Sequence, residues 1–345
     1  MKAKIRNMEE FARAAGLSRP TVSKFFHDPA SVRSKTRSRI EAVLSESGFR
    51  PNIFAVNLNR RRSKILGLII PDPLDPFYMA LAQRIERSAT DAGYLAFVFS
   101  SNGTPELEER AIETITMLNV AGAIIAPLGK KSHLAKLSSL GRNIPLVFVD
   151  APLDGSGPFV GTNNHQTISL ITDYLIRSGD PPTYFDMPAV NQNATDRKLA
   201  YTQTMTRLGL KPVFANLAVT DSWEFEKVSY QAANAILGSG GFPTRTILCA
   251  NDRVAYGVLA ALHQAGLKVG LGPGFDYRVA GHDNQPLSAF TCPPLTTVSQ
   301  DYSRMGEVAL DLLFARIGDG GKPPFPPGKG ERILLNGELV FRASA

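Results

Sequence analysis

From residue 65 onward the chain alternates short apolar runs with stretches whose apolar residues recur every three or four positions. ILGLII (65–70), YLAFVFS (94–100), GAIIAP (122–127), PLVFVDA (145–151), TILCA (246–250) and YRVAGHD (277–283) have strand length. Between them lie amphipathic stretches such as MALAQRIERSATDAG and ERAIETITMLN. Strands that are apolar on both faces and spaced by helices predict a parallel, doubly wound sheet. Six of them before about residue 290 predict two such units rather than one.

The first fifty residues follow another rhythm. Met8, Phe11, Ala12 and Ala15 recur at helical spacing behind Asn7, which can cap the helix with Glu10 three residues on. Gly16 ends that helix. Ser18 can cap a second one, with Pro20 in its first turn where a missing N–H is no loss. Val22, Phe25 and Phe26 give this helix an inner face, and Asp28-Pro29 ends it. A third helix is predicted from near Ser34, burying Ile40, Val43 and Leu44, to a stop at Gly48. Two short helices joined through Gly16-Leu17-Ser18 make a helix-turn-helix. The second presents Arg19, Pro20, Thr21, Ser23, Lys24 and His27 outward. Hydroxyls and long donors of this kind read base edges and phosphates.

Charge sharpens that picture. The net charge is +7, yet residues 1–64 hold 15 Lys/Arg against 5 Asp/Glu, so the other 281 residues are slightly acidic. An excess confined to one end points to a polyanion. No long amphipathic helix sets aromatics against lysines as a membrane surface would require, which leaves nucleic acid. The stretch PNIFAVNLNRRR (51–62) places Phe54, Ala55, Val56 and Leu58 beside Arg60, Arg61 and Arg62. Apolar wedges and arginines together suit the minor groove, where a wedge unstacks a base step and arginines favour a narrowed groove. A helix of twelve residues is marginal alone in water, so this one can order on DNA.

The run AGLSRPTVSKFFHDPASVRSKTRSRIEAVLSESGFRPN (15–52) resembles the head of the LacI/GalR family of bacterial transcription regulators. The resemblance places Arg19, Pro20 and Lys24 in the major groove, and Thr21, Ser23, Thr36 and Asn52 at or behind phosphate contacts. His27 stands where asparagine is common in the family. It also implies a hinge helix after Pro51-Asn52, with Leu58 as the wedge, Ala55 one turn before it, and Arg60 and Arg61 alongside.

In the remainder, polar residues gather just past strand ends: Asp72 and Asp75 with Phe77-Tyr78, then Asp150, Asn251-Asp252 and His282-Asp283-Asn284. Ligands of open α/β sheets bind beyond the carboxyl ends of the strands. Carboxylates and amides beside aromatics suit a polyhydroxylated ligand, although each Asp or Asn could equally cap the next helix. IIPDPLDPFYMALAQRIE, CANDRVAYGVLAALHQAGLKV, VAGHDN and PPLTTVSQDYSRMGEVALDLL are all similar to segments of the same family, so the resemblance spans almost the whole chain. It implies two periplasmic-binding-protein-like subdomains crossed by three strands, with an effector between them at Phe77, Tyr78, Asp150, Asn193, Arg197, Asn251 and Asp283. Trp223, the only tryptophan, is expected at the aromatic wall. Thr162-Asn163-Asn164 departs from the family's Asp-Asn pair, and VGLGPGFDY is longer than the usual lead-in to its strand.

The expected architecture is an all-α helix-turn-helix head (1–49), a hinge (50–63) and an α/β core of two doubly wound parallel-sheet subdomains (64–345). The first subdomain is expected over about 64–161 plus 301–320, the second over about 162–300 plus 321–342. Enzymatic signatures are absent: there is no G-x-S-x-G, H-E-x-x-H or CxxC, the five histidines lack ligand spacing, and Gly270–Gly274 fits neither nucleotide fingerprint and reads as a surface loop. Cys249 and Cys292 make neither a disulfide framework nor a metal site. No cofactor is called for. No apolar run suits a membrane span or a secretory signal, so a cytoplasmic location is expected. No leucine heptad follows residue 330, which makes a homodimer the default. The function expected is a repressor of carbohydrate-utilisation genes, released from or retained on palindromic double-stranded operator DNA by a sugar-like effector. A nucleobase- or nucleoside-responsive regulator, and a sugar-metabolising enzyme with a DNA-binding head, are the rival readings.

Overall fold

The computed structural model describes residues 5–27, 29–50, 63–153, 157–215, 220–318 and 332–345. The head folds as α1 (Met8–Ala15), α2 (Arg19–His27) and α3 (Ser34–Ser47). Asn7 caps α1, its Oδ1 accepting from the N–H groups of Glu9 and Glu10 at 3.1 and 2.9 Å. The reciprocal bond expected from Glu10 reaches one residue further back, to the Arg6 N–H at 2.8 Å. Gly16 (φ 59°) and Gly48 (φ 61°) end α1 and α3 in the left-handed conformation that glycine adopts without strain. Phe11, Val22, Phe25 and Ile40 are buried together, and Phe49 stacks on Phe11 at 4.9 Å. The predicted inner faces are those that pack.

Six parallel strands form the first sheet: β1 (Ile65–Ile70), β2 (Leu95–Ser100), β3 (Gly122–Ile125), β4 (Leu146–Val149), β5 (Phe159–Thr162) and β11 (Arg332–Leu335), in the order β11-β5-β4-β3-β1-β2. Its crossover helices are α4 (Pro76–Asp91), α5 (Pro105–Met117) and α6 (Leu134–Asn143). Helix α11 (Tyr302–Ile317) packs Met305, Val308, Leu312 and Leu313 into the same core.

The second sheet runs β7-β6-β8-β9, from β6 (Thr183–Phe185), β7 (Val213–Ala215), β8 (Thr246–Cys249) and β9 (Arg278–Ala280). An antiparallel pair, β10 (Thr297–Ser299) with β12 (Glu338–Val340), continues it through bridges Ala280–Thr296 and Asp283–Ser299. Helices α7 (Asn164–Ser178), α8 (Gln192–Arg207), α9 (Phe225–Gly238) and α10 (Asp252–Gln264) complete this subdomain. Residues 270–276 turn through Gly272 (φ 89°) and Gly274 (φ 98°) and are mostly exposed.

The chain crosses between subdomains after β5, between β10 and α11, and between β11 and β12. The crossings are bonded to one another: Thr162 Oγ1 donates to Gln300 Oε1, and Asn163 Nδ2 to Asn336 Oδ1 at 3.0 Å. The expected boundary needs one correction. Residues 332–335, expected in the second subdomain, are the edge of the first sheet, in parallel register from Arg332–Phe159 to Leu335–Thr162. Order along the chain does not dictate order in a sheet, and β11 returns after the second subdomain is nearly built.

Candidate functional site

On the head, Arg19, Pro20 and Lys24 are exposed, while Thr21, Ser23 and Thr36 are part-buried. Ser18 Oγ lies 2.8 Å from Thr21 Oγ1 at the start of α2. Arg19 pairs with Glu9 at 3.4 Å, both exposed, and a surface pair of this kind holds the guanidinium only weakly. The His27 side chain, Asn52 and the hinge residues Ala55, Leu58, Arg60 and Arg61 lie outside the described residues.

In the core, the sequence-predicted positions converge on one cleft between the subdomains. The polar residues past the strand ends divide into two kinds. Asp75 caps α4, accepting from the Phe77 N–H at 3.0 Å, and Asn251 caps α10, accepting from the Val254 N–H at 2.8 Å. Asp150 (φ 66°) and Asp283 (φ 120°) cap nothing and sit in backbone conformations that side-chain-bearing residues rarely adopt. Such strain persists where surroundings over-determine it, typically at ligand sites.

Those surroundings form a continuous network. Tyr78 Oη donates to Asp150 Oδ2 at 2.7 Å, and Asn193 Nδ2 to Asp150 Oδ1 at 2.9 Å. Asn164 Nδ2 donates to Asn193 Oδ1 at 2.8 Å, and Asn164 Oδ1 accepts from Arg197 Nε at 3.0 Å. Arg197 also donates to the Ala250 carbonyl at 2.8 Å and pairs with Asp283 at 3.1 Å. Gln300 Nε2 donates to Asp283 Oδ1 at 2.6 Å, and His282 Nδ1 lies 2.8 Å from the same oxygen. Burial pushes Asp150 up to about 6, against the Tyr78 hydrogen bond and the Arg197 charge. Asp283, though buried, is held below the usual carboxylate range by Arg197 and by bonds from His282 and Gln300.

The aromatic wall is Tyr78, Phe77, Trp223 and Phe225. Trp223 stacks on Phe225 (5.8 Å between centroids, 24° between planes) and tilts against Tyr78 at 6.2 Å. Beside it, Arg253 staples the two subdomains. Its Nη1 reaches Asp72 at 3.2 Å and Asp75 at 3.3 Å in the first, while Nε and Nη2 bind Glu226 at 2.6 and 2.9 Å in the second. Gln285 Nε2 adds a bond to Asp75 Oδ1 at 3.1 Å. Burial, only partly offset by Arg253, pushes Asp75 up to about 7.

Arg253, Asn164, Gln300 and the bonding role of His282 were not legible beforehand. Arg253 had one signal: a cation in the first turn of a helix opposes the helix dipole and needs compensation. Among the described residues no cluster could hold a metal ion, and no helix is long and apolar enough to cross a membrane.

Residues 7–52 match the family model for bacterial regulatory proteins of the lacI family, and residues 162–345 that for the periplasmic binding protein-like domain. The chain is 30% identical over 342 residues to the ribose operon repressor of Escherichia coli (strain K12), covering 98% of this chain and 99% of the relative. It is 27% identical to the HTH-type transcriptional repressor PurR of Histophilus somni (strain 129Pt), with 98% of each covered. The structure of the lac repressor dimer bound to operator and the anti-inducer ONPF superposes with a TM-score of 0.82 at 25% identity, over 99% of both chains. With a helix-turn-helix head and a two-subdomain core in this arrangement, the chain belongs to the lacI family of bacterial regulatory proteins as a DNA-binding transcriptional repressor.

Proposed function

We propose that the chain acts in the cytoplasm as a homodimer that represses carbohydrate-utilisation genes, its head and hinge on a palindromic operator and a sugar in its core cleft as the switch. The observation that carries this reading is the pairing of Asp150, Asn193, Arg197 and Asp283 with the Tyr78–Trp223 wall around one cleft. Carboxylates and amides accept and donate to hydroxyls, and ring faces meet C–H surfaces. The likeness to a ribose operon repressor supports a sugar. Binding between the subdomains biases their relative angle, which the three cross-bonded crossings transmit toward the hinge. Couplings of this kind are about 1–3 kcal/mol, enough to change operator occupancy severalfold or more. The chain works by binding rather than turnover, a reading supported by its likeness along almost its whole length to repressors.

A second reading, a nucleobase or nucleoside effector, draws on the near-parallel Trp223–Phe225 pair, a ring surface on which a planar base can stack. Calorimetric titration of the protein with monosaccharides and with nucleobases, followed by operator binding with and without the ligand found, decides between them. A monosaccharide that binds and shifts operator affinity at least about fivefold is the expected result. Binding by nucleobases alone would transfer the conclusion to the second reading.

A further inference from the structure

The cleft has a marked imbalance between acceptors and donors. Three carboxylates line it, Asp75, Asp150 and Asp283, against one cation among the described residues, Arg197. Every nitrogen of that guanidinium is engaged, with Asn164, the Ala250 carbonyl and Asp283. Arg253, the neighbouring cation, is taken up by Asp72, Asp75, Glu226 and the Trp223 carbonyl.

Helix N-termini, the usual alternative for holding an anion, are closed as well. Four helices begin at this cleft. Three carry a side-chain cap: Asp75 on the Phe77 N–H, Asn191 on the Asn193 N–H at 3.1 Å, and Asn251 on the Val254 N–H. The fourth, α9, starts at Phe225 without one, but the Glu226 carboxylate in its first turn already meets its dipole. The acceptors remain open by contrast. Asp283 Oδ1 takes its contacts from His282, Gln300 and Arg197, whereas Oδ2 has no partner among the described residues. Each oxygen of Asp150 receives one side-chain donor and can accept a second.

We infer that the cleft recognises an uncharged, hydroxyl-rich molecule and rejects its phosphorylated form. This rests on the sugar reading proposed above and deepens it. A phosphate brings no donor at neutral pH and would face carboxylates with no unengaged cation to meet it, and like charges brought together in this way cost several kcal/mol. The regulator would therefore sense a sugar ahead of any phosphoryl-transfer step that consumes it, rather than the product of that step.

The test is calorimetry on the intact chain at pH 8, above the Asp75 value of about 7, with ribose, glucose, galactose and adenosine, each beside its phosphate monoester. The expected result is that a sugar binds and its ester binds at least about thirtyfold more weakly. An ester that binds as tightly as its parent sugar would overturn the inference and leave the sugar reading intact. The same preference seen only for adenosine over its ester would uphold the charge argument and remove the sugar reading. Silence from every pair would count against both. Repeating the pairs on Asp75→Asn separates charge from size: the discrimination should narrow severalfold, and an unchanged ratio would assign it to bulk and overturn the electrostatic account.

Discussion

His282 shows how one residue sets a carboxylate in place. It is fully buried, with Nδ1 at 2.8 Å from Asp283 and Nε2 at 2.9 Å from Thr167 Oγ1. Burial and the Arg197 charge push its pKa from 6.5 down to about 4. An unfolded chain takes up this proton near 6.5 but the native one only near 4, so the contribution to stability is complete above 6.5 and is lost as pH falls toward 4. Between pH 7 and pH 5 the loss is about 2 kcal/mol. Thermal melts of the native chain and of His282→Phe across that interval should diverge, the variant losing less on acidification. Parallel curves would show that the imidazole does not titrate this way. Residue types at the cleft were legible because Asp, Asn and aromatics cluster after apolar runs. Their partners were not: Asn164 meets Asn193 and Arg197 across about thirty positions of sequence, and Gln300 meets Asp283 from another crossing. Such pairings are products of the fold, with no local pattern to announce them.

Among elements, legibility followed length and chemistry. The continuously apolar strands β1, β2, β3, β4 and β8 and the helices of the head stand where spacing predicted them. The strands that escaped notice, β5, β6, β7, β10, β11 and β12, carry at most three consecutive apolar residues, too few for a pattern to emerge. Helix contacts were equally hidden. Gly257 lets α10 lie against α9: a Cβ there would fall 2.3 Å from the Glu226 carbonyl oxygen and 2.7 Å from the Tyr230 nitrogen. Gly257→Ala gains about 1 kcal/mol of helix propensity, but besides Ser229 Oγ at 2.0 Å it meets these two backbone atoms, which cannot rotate aside. Overpacking costs about 1–3 kcal/mol and more where nothing yields, so the urea midpoint of the variant should fall. A rise would mean that the two helices slide apart without penalty.

For the whole molecule, the described cleft is shut by the chain's own side chains. Arg253 bonds both subdomains, Lys131 pairs with Asp221 across the opening, and Gly103 approaches Trp223 so closely that a Cβ would lie 2.2 Å from the indole. Arg253→Gln keeps a polar group of similar reach while removing the charge that joins Asp72, Asp75 and Glu226. The variant should open more readily, with the emission of Trp223 shifted to the red and a larger radius of gyration in solution scattering. Unchanged emission and size would place closure in the remaining contacts. The return of β11 to the first sheet has a different kind of consequence, for the order in which the protein is made. Synthesis from the N-terminus delivers the head as one continuous piece, free to fold early, since domains generally fold as units during translation. The first sheet, begun at Ile65, lacks its β11 edge until Arg332–Leu335 leaves the ribosome. A nascent chain therefore carries a finished DNA-reading surface well before it has a finished sensor, and a chain cut short ahead of β11 keeps the reader while leaving β5 an open edge.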